Sequence, residues 1–166
     1  FPKFYVARFG NVFGSTGSVA DIWMKANKKG EKLTVTNRDM TRFYWTANEA
    51  IDLMFAALKH GDPKGIYIPV MKTVKTIDLA KAMQEHGIEI VGSRPGEKLH
   101  ESIATAEEMV NTIQMQVNVG GRMVKFGIIQ DERATDRDMQ EYSSEISPRM
   151  TRKEILAMVN EYKESL

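Results

Sequence analysis

Cysteine is absent from the 166 residues, which excludes disulfide staples, thiolate nucleophiles and thiolate metal ligation. Neither sign of charge is in excess. The 23 Lys and Arg against 22 Asp and Glu leave a net charge of +1, so no global field draws in nucleic acid or an anionic membrane. Any anion must therefore be recognised locally. No apolar run reaches the roughly 18 residues of a membrane span, and no signal-like segment opens the sequence. These features fit a cytoplasmic protein without nucleic-acid or membrane partners. The three histidines, His60, His86 and His100, lie far apart and form no H-x-x-x-H spacing, so no metal site is expected. Repeats and low-complexity tracts are also missing.

What is present is a 42% hydrophobic chain able to bury one sizeable core. It begins at Phe1 on an apolar, strand-like run, and the expectation is that something upstream has been lost. "FPKFYVARFGNV" has apolar residues on both faces, the pattern of a strand inside a covered parallel sheet. "GSTGSVADIWMKANKKG" runs from a Gly/Ser loop into a helix with Ile22, Trp23 and Ala26 on one face and a stop at Gly30. "EKLTVT" reads as a strand. "TANEAIDLMFAALKHG" reads as a helix capped by Thr46 or Asn48, with an Ile51/Phe55/Leu58 stripe. "GIYIPV" and "IEIVG" are strands around a helix that Thr76 can cap, so β and α elements alternate in an α/β fold. Beyond residue 105, "VNTIQMQV" and "RMVKFGII" flank Gly120-Gly121 as a hairpin. "TRKEILAMVNEYKESL" closes as an amphipathic helix capped by Thr151, with His60 and His86 read as helix C-terminal residues.

Three stretches carry candidate chemistry. "GNVFGSTGS" offers backbone N–H groups at a helix start, although it fits neither dinucleotide nor P-loop spacing. "RDMTRFYW" sets Arg38 and Arg42 beside three aromatics, as an anion clamp or as a buried cluster with arginines at its rim. "RPGEKLHE" groups Arg94, Glu97, Lys98, His100 and Glu101 around a Pro-Gly turn, either as a grip on a ligand or as a solvated loop opening a helix. Arginine suits phosphate because its planar fork makes two parallel bonds. Ligands of open α/β sheets gather at the carboxyl ends of strands, so a nucleotide-type ligand is the best bottom-up reading.

"RFGNVFGSTGSV", "LTVTNRDMTRFYWT", "RPGEKLHE" and "EYSSEISPRMT", in that order, resemble the C-terminal half of the UDP-N-acetylglucosamine 4,6-dehydratases. The nearest resemblance is to the inverting, pseudaminic-acid type of the extended short-chain dehydrogenase/reductase superfamily. It covers nearly all of residues 4 to 156 and is loosest over 107 to 141. The resemblance implies the C-terminal part of a Rossmann-like fold. Residues 1–30 would form the last strand, loop and helix of the nucleotide-binding domain, and 31–166 a UDP-sugar lobe ending in a hairpin and helix.

The resemblance also implies residue roles. Asn11, Thr34, Arg42, Arg94 and Glu97 would bind the UDP-sugar, with Arg94 on the diphosphate and Glu97 on the ribose. Val12, Gly14 and Ser15 would line the nicotinamide end of NAD or NADP. Lys98, His100 and Glu101 would be helix-surface or supporting residues. The family's reaction needs a Tyr-x-x-x-Lys pair, an acid/base pair and a Gly-rich first βαβ unit. No tyrosine here has a lysine four positions on, and no G-x-x-G-x-x-G is present. No catalytic residue is therefore assigned, and the chain alone is expected neither to bind NAD(P) tightly nor to turn over substrate. The implied partners are a UDP-N-acetylglucosamine-type sugar, the missing N-terminal half or a partner chain, and further copies in a homo-oligomer. The alternative is a free-standing, non-catalytic nucleotide-sugar-binding or assembly module.

Overall fold

The computed structural model describes residues 2–61, 63–135 and 137–166; Phe1, at the head of the first expected strand, lies outside them. In chain order the elements are β1 (Val6–Ala7), β2 (Asn11–Val12), α1 (Val19–Lys28), β3 (Leu33–Val35), β4 (Thr41–Trp45) and α2 (Ala47–His60). There follow β5 (Ile66–Pro69), β6 (Thr73–Lys75), α3 (Thr76–Met83), β7 (Ile88–Ile90), β8 (Ser102–Ala104) and α4 (Ala106–Val110). The chain closes with β9 (Thr112–Val119), β10 (Arg122–Ile129), β11 (Tyr142–Ser143) and α5 (Arg152–Glu164). The α/β class expected from the alternating pattern is what the structure has.

These elements form two compact units. One contains Phe1–Gly10, Ala47–Met71 and Ser102–Ser143. The other contains Asn11–Thr46, Lys72–Glu101 and Ser144–Leu166.

The first unit is built on a mixed sheet of order β1-β5-β10-β9, in which β1 runs parallel to β5 and the β5–β10 and β10–β9 pairs are antiparallel. The expected hairpin is present, with Val119 opposite Arg122. Gly120 and Gly121 turn it at φ +57° and +88°, a pair of positive angles that side chains with a Cβ resist. Two sequence readings fail here. β1 is an edge strand, not an interior one, because nothing among the described residues pairs with its other side; Phe4 is 75% and Val6 53% exposed. On α2 the stripe of Ile51, Phe55 and Leu58 faces outward, joined by Met54. The helix instead buries Leu53 together with Ala50, Ala56 and Ala57, whose small side chains let it sit close over β5, β9 and β10. Buried Asp52 goes inward with them and is held by Arg122 Nη2 at 2.6 Å. Arg8 likewise makes two bonds to the Glu108 carboxylate, at 2.8 and 2.9 Å. Burial pushes the Glu108 carboxyl up, but the Thr105 N–H and Arg8 outweigh it and hold it below its usual value.

The second unit contains the order β2-β4-β6, with β2 parallel and β6 antiparallel to β4, and the parallel pair β3-β7. Its core joins Trp23, Leu33, Val35, Leu79, Met83 and Val159. Trp23 is buried as expected and donates its indole N–H to Thr34 O at 2.9 Å, whereas Ile22, expected on the same face, is 53% exposed. The backbone of α3 begins one residue earlier than read: Lys75 is the cap position and Thr76 the first helical residue. His86 lies beyond the end of that helix, not in its last turn. α5 starts as expected, with Thr151 and Glu154 exchanging side-chain and backbone bonds in a capping box.

Candidate functional site on strands β2 and β4

The site is assembled in the second unit, where Asn11 and Val12 of β2 pair in parallel register with Tyr44 and Trp45 of β4. Paired residues in a sheet point to the same face, and residues two apart on a strand share it. Asn11, Arg42 and Tyr44 therefore stand side by side. The aromatic residues of β4 are buried, so the cluster and the arginine at its rim coexist.

Arg42 is heavily engaged. Nη1 donates to Thr41 O at 2.8 Å and Leu99 O at 3.1 Å, Nη2 donates to Lys98 O at 2.7 Å, and Nε lies 3.1 Å from Glu101 Oε1. A guanidinium has about five N–H groups, so among the described residues roughly one is left uncommitted. Thr41 N–H adds a bond to Leu99 O at 3.0 Å. The segment 98–101 is thus pinned along β4. The helix expected after the Pro-Gly turn does not form, and Lys98, His100 and Glu101 are not on a helix surface.

Glu101 joins the expected site residues. One carboxylate oxygen faces Arg42, and the other accepts from Asn11 Nδ2 at 3.1 Å. Asn11 Nδ2 also donates to Phe43 O at 3.2 Å. Burial pushes the Glu101 carboxyl up, against the opposing pull of the Arg42 charge and the Asn11 amide. Behind it, Ser144 Oγ accepts from Glu101 N at 2.8 Å and donates to Thr41 O at 3.1 Å. Thr41 Oγ1 lies 2.8 Å from Ser144 Oγ and 2.7 Å from His100 Nδ1. Tyr44 is 5% exposed, and burial raises its hydroxyl pKa far above the ordinary value. Among the described residues that hydroxyl has no hydrogen-bond partner.

The Pro-Gly turn is as read. Glu97 N donates to Arg94 O at 3.0 Å with Gly96 at φ +79°, the signature of a type II turn. Glu97 is tied down, accepting from Arg94 N at 3.1 Å and from Thr36 Oγ1 at 3.2 Å. The Arg94 side chain is exposed and makes no bond among the described residues. Thr34 is exposed at the centre of β3.

The Gly-rich loop is ordered from within. Ser18 caps α1, and Asp21 accepts from Gly17 N at 2.9 Å and from Lys25. Those two bonds, Lys25 first, lower the Asp21 carboxyl below its usual value. Ser15 is exposed, its N–H bonding Val12 O at 3.3 Å. Gly14 sits at φ +79°, and a Cβ there would overlap the Tyr162 ring of α5. The bare backbone at Gly14 is thus filled by this chain's own aromatic side chain. Sequence reading did not single out Tyr162, Ser144 or Tyr44, which the fold places beside these residues; Glu101, read as a helix-surface or supporting residue, is not on a helix but does support Asn11 and Arg42. "EYSSEISPRMT" was the only signal near Ser144.

The model of one family, described as polysaccharide biosynthesis protein, matches residues 2–121. The chain belongs to that family. Relatives of this family member include a protein named UDP-glucose 4-epimerase from Rickettsia typhi, 30% identical over 161 residues, which cover 90% of this chain and 47% of that protein. An uncharacterized membrane protein of Methanocaldococcus jannaschii is 36% identical over 125 residues, 68% of this chain and 38% of that one. No helix among the described residues here is long and apolar enough to cross a membrane. Among solved structures, Pen from Bacillus thuringiensis aligns with a TM-score of 0.80 at 28% identity, over 96% of this chain and 49% of Pen. The chain thus spans about half the length of the Rickettsia relative it matches, 47%. Its α/β fold and family place it in the extended short-chain dehydrogenase/reductase superfamily.

Proposed function

We propose that this chain is the substrate-binding, C-terminal portion of a NAD(P)-dependent UDP-N-acetylglucosamine 4,6-dehydratase of the inverting, pseudaminic-acid type. It would work as a cytoplasmic homo-oligomer in surface-polysaccharide biosynthesis, together with the part of the protein that carries the catalytic residues. The observation that supports this best is the gathering of Asn11, Arg42 and residues 98–101 on β2 and β4. In this reading residues 1–30 complete the nucleotide-binding domain and 31–166 hold the UDP-sugar, a functional division that cuts across the two compact units. Arg94, exposed and without a bond among the described residues, grips the diphosphate. Glu97 receives ribose hydroxyls, and Thr34 lines the nucleotide. NAD(P) supplies hydride transfer when bound to the whole protein. Val12, Gly14 and Ser15 line its nicotinamide end, with the Tyr162 ring backing the loop at Gly14.

Calorimetric titration of UDP tests the grip. Arg94→Ala should weaken binding about tenfold to a hundredfold, and Arg94→Lys should recover part of it, keeping charge without the fork. Glu97→Gln should cost less, because an amide oxygen still accepts a hydroxyl bond. Equal affinities across wild type and variants would remove the nucleotide role. The relatives named UDP-glucose 4-epimerase favour a second reading, an epimerase on the same UDP handle. Product analysis of the full-length protein separates the two: a 4-keto-6-deoxy sugar nucleotide supports the dehydratase, and inversion at C4 without loss of water supports the epimerase.

A further inference from the structure

We infer that Glu101 is a positioning residue that fixes the Asn11 amide so that only its carbonyl oxygen faces a ligand, making this a subsite for a neutral sugar hydroxyl. The inference rests on the nucleotide-sugar reading and deepens it. Both neighbours of Asn11 Nδ2 are acceptors: Phe43 O at 3.2 Å and Glu101 Oε2 at 3.1 Å. A backbone carbonyl and an ionised carboxylate have no proton to give, so the opposite amide orientation would set oxygen against oxygen twice. Both N–H groups of the amide are consumed inward. Oδ1 remains, and it has no partner among the described residues.

An oxygen that can only accept does not bind phosphate, but it does bind a hydroxyl. Local charge agrees, because Glu101 pairs with Arg42 and offsets the cation nearest Asn11. Tyr44, in register with Asn11, adds a nearly buried hydroxyl without a partner among the described residues. The anionic handle of a sugar nucleotide is left to Arg94, and its neutral sugar to Asn11. Glu101 itself need not touch the ligand.

The test titrates UDP and UDP-N-acetylglucosamine separately into the full-length protein, as wild type, Glu101→Gln and Glu101→Asp. A Gln side chain can present its amide N–H and let Asn11 turn over. We expect Glu101→Gln to lose about tenfold in affinity for UDP-N-acetylglucosamine, the worth of one hydrogen bond, and to keep its affinity for UDP. Glu101→Asp should restore part of the loss. Equal losses for both ligands, or no loss for either, would overturn the positioning role and leave the nucleotide-sugar reading standing. Absence of binding of both ligands to wild type would remove that reading and this inference with it. NMR of the ligand-free full-length protein gives a further check: both Asn11 side-chain amide protons should exchange slowly in wild type and at least one faster in Glu101→Gln. Fast exchange in wild type would overturn the assigned orientation.

Discussion

Gly14 illustrates how one residue joins sequence, packing and site. Its φ of +79° is a conformation that a side chain resists, and the Tyr162 ring occupies the space a Cβ would need. The ring also meets Phe13 edge-on, centroids 5.5 Å apart, so the loop is clamped between β2 and α5. Gly14→Ala should therefore destabilise the chain by roughly 1–3 kcal/mol through backbone strain and overpacking together. Adding Tyr162→Ala removes the overlap and leaves the strain. Urea unfolding of the two single variants and the double should show a coupling between the sites. Strict additivity would mean that Tyr162 does not back the loop.

At the level of elements, α5 is fastened at its start by charge. Lys72, at 2.5 Å, and the backbone and hydroxyl of Thr151 all bond Glu154, and together they hold its carboxyl down at about 2. A depressed carboxyl stabilises the fold above its ordinary value of 4.5, and that support is lost as pH falls from there towards about 2. Glu101 acts in the opposite sense. Its raised value means that its contribution is fullest below the ordinary 4.5 and declines as pH rises past it. We expect the NMR signals of α5 to lose their folded dispersion on acidification before those of α1. Lys72→Met should shrink that acid step, because the Lys72 bond is the largest lowering influence on Glu154. An unchanged acid titration in Lys72→Met would contradict the assignment. Separately, Thr151→Ala should cost about 1 kcal/mol as a lost helix cap, read by thermal unfolding.

For the molecule as a whole, the first unit exposes an unusual set of apolar side chains: Phe4, Val6 and Phe9, and on α2 Ile51, Met54, Phe55 and Leu58. Leaving even four of these seven groups in water forgoes roughly 6–12 kcal/mol, at about 1.5–3 kcal/mol each. That is comparable with a domain's whole stability of about 5–15 kcal/mol. In the proposed function these faces are covered by the remainder of the full-length protein. The 166-residue chain alone should then self-associate in light scattering, and Phe55→Ser with Leu58→Ser should reduce the association. Supplying the remaining half should suppress it. A monodisperse monomer at all concentrations would contradict this account.

Most elements were legible because their signals are local. Two glycines needing positive φ mark the hairpin, a Thr-x-x-Glu box starts α5, and Pro95-Gly96 sets the turn at Arg94; each is decided within a few residues. The motifs also named Asn11, Arg42 and "RPGEKLHE", and the fold brings the last four residues of that motif, 98–101, to Arg42 and Asn11, while Glu97 bonds Thr36 instead. What the sequence could not decide was which faces are covered. Ile22 and the α2 stripe match a helical period but lie outside, because burial depends on what packs opposite. The link from Asn11 to Glu101 spans 90 residues and that from Thr41 to Ser144 spans 103. Periodicity, capping and turn chemistry act over a few residues and determine where helices and strands form. Contacts between residues this far apart exist only after the chain has packed, so the polarity of the Asn11 amide and the engagement of Arg42 belong to the tertiary structure alone.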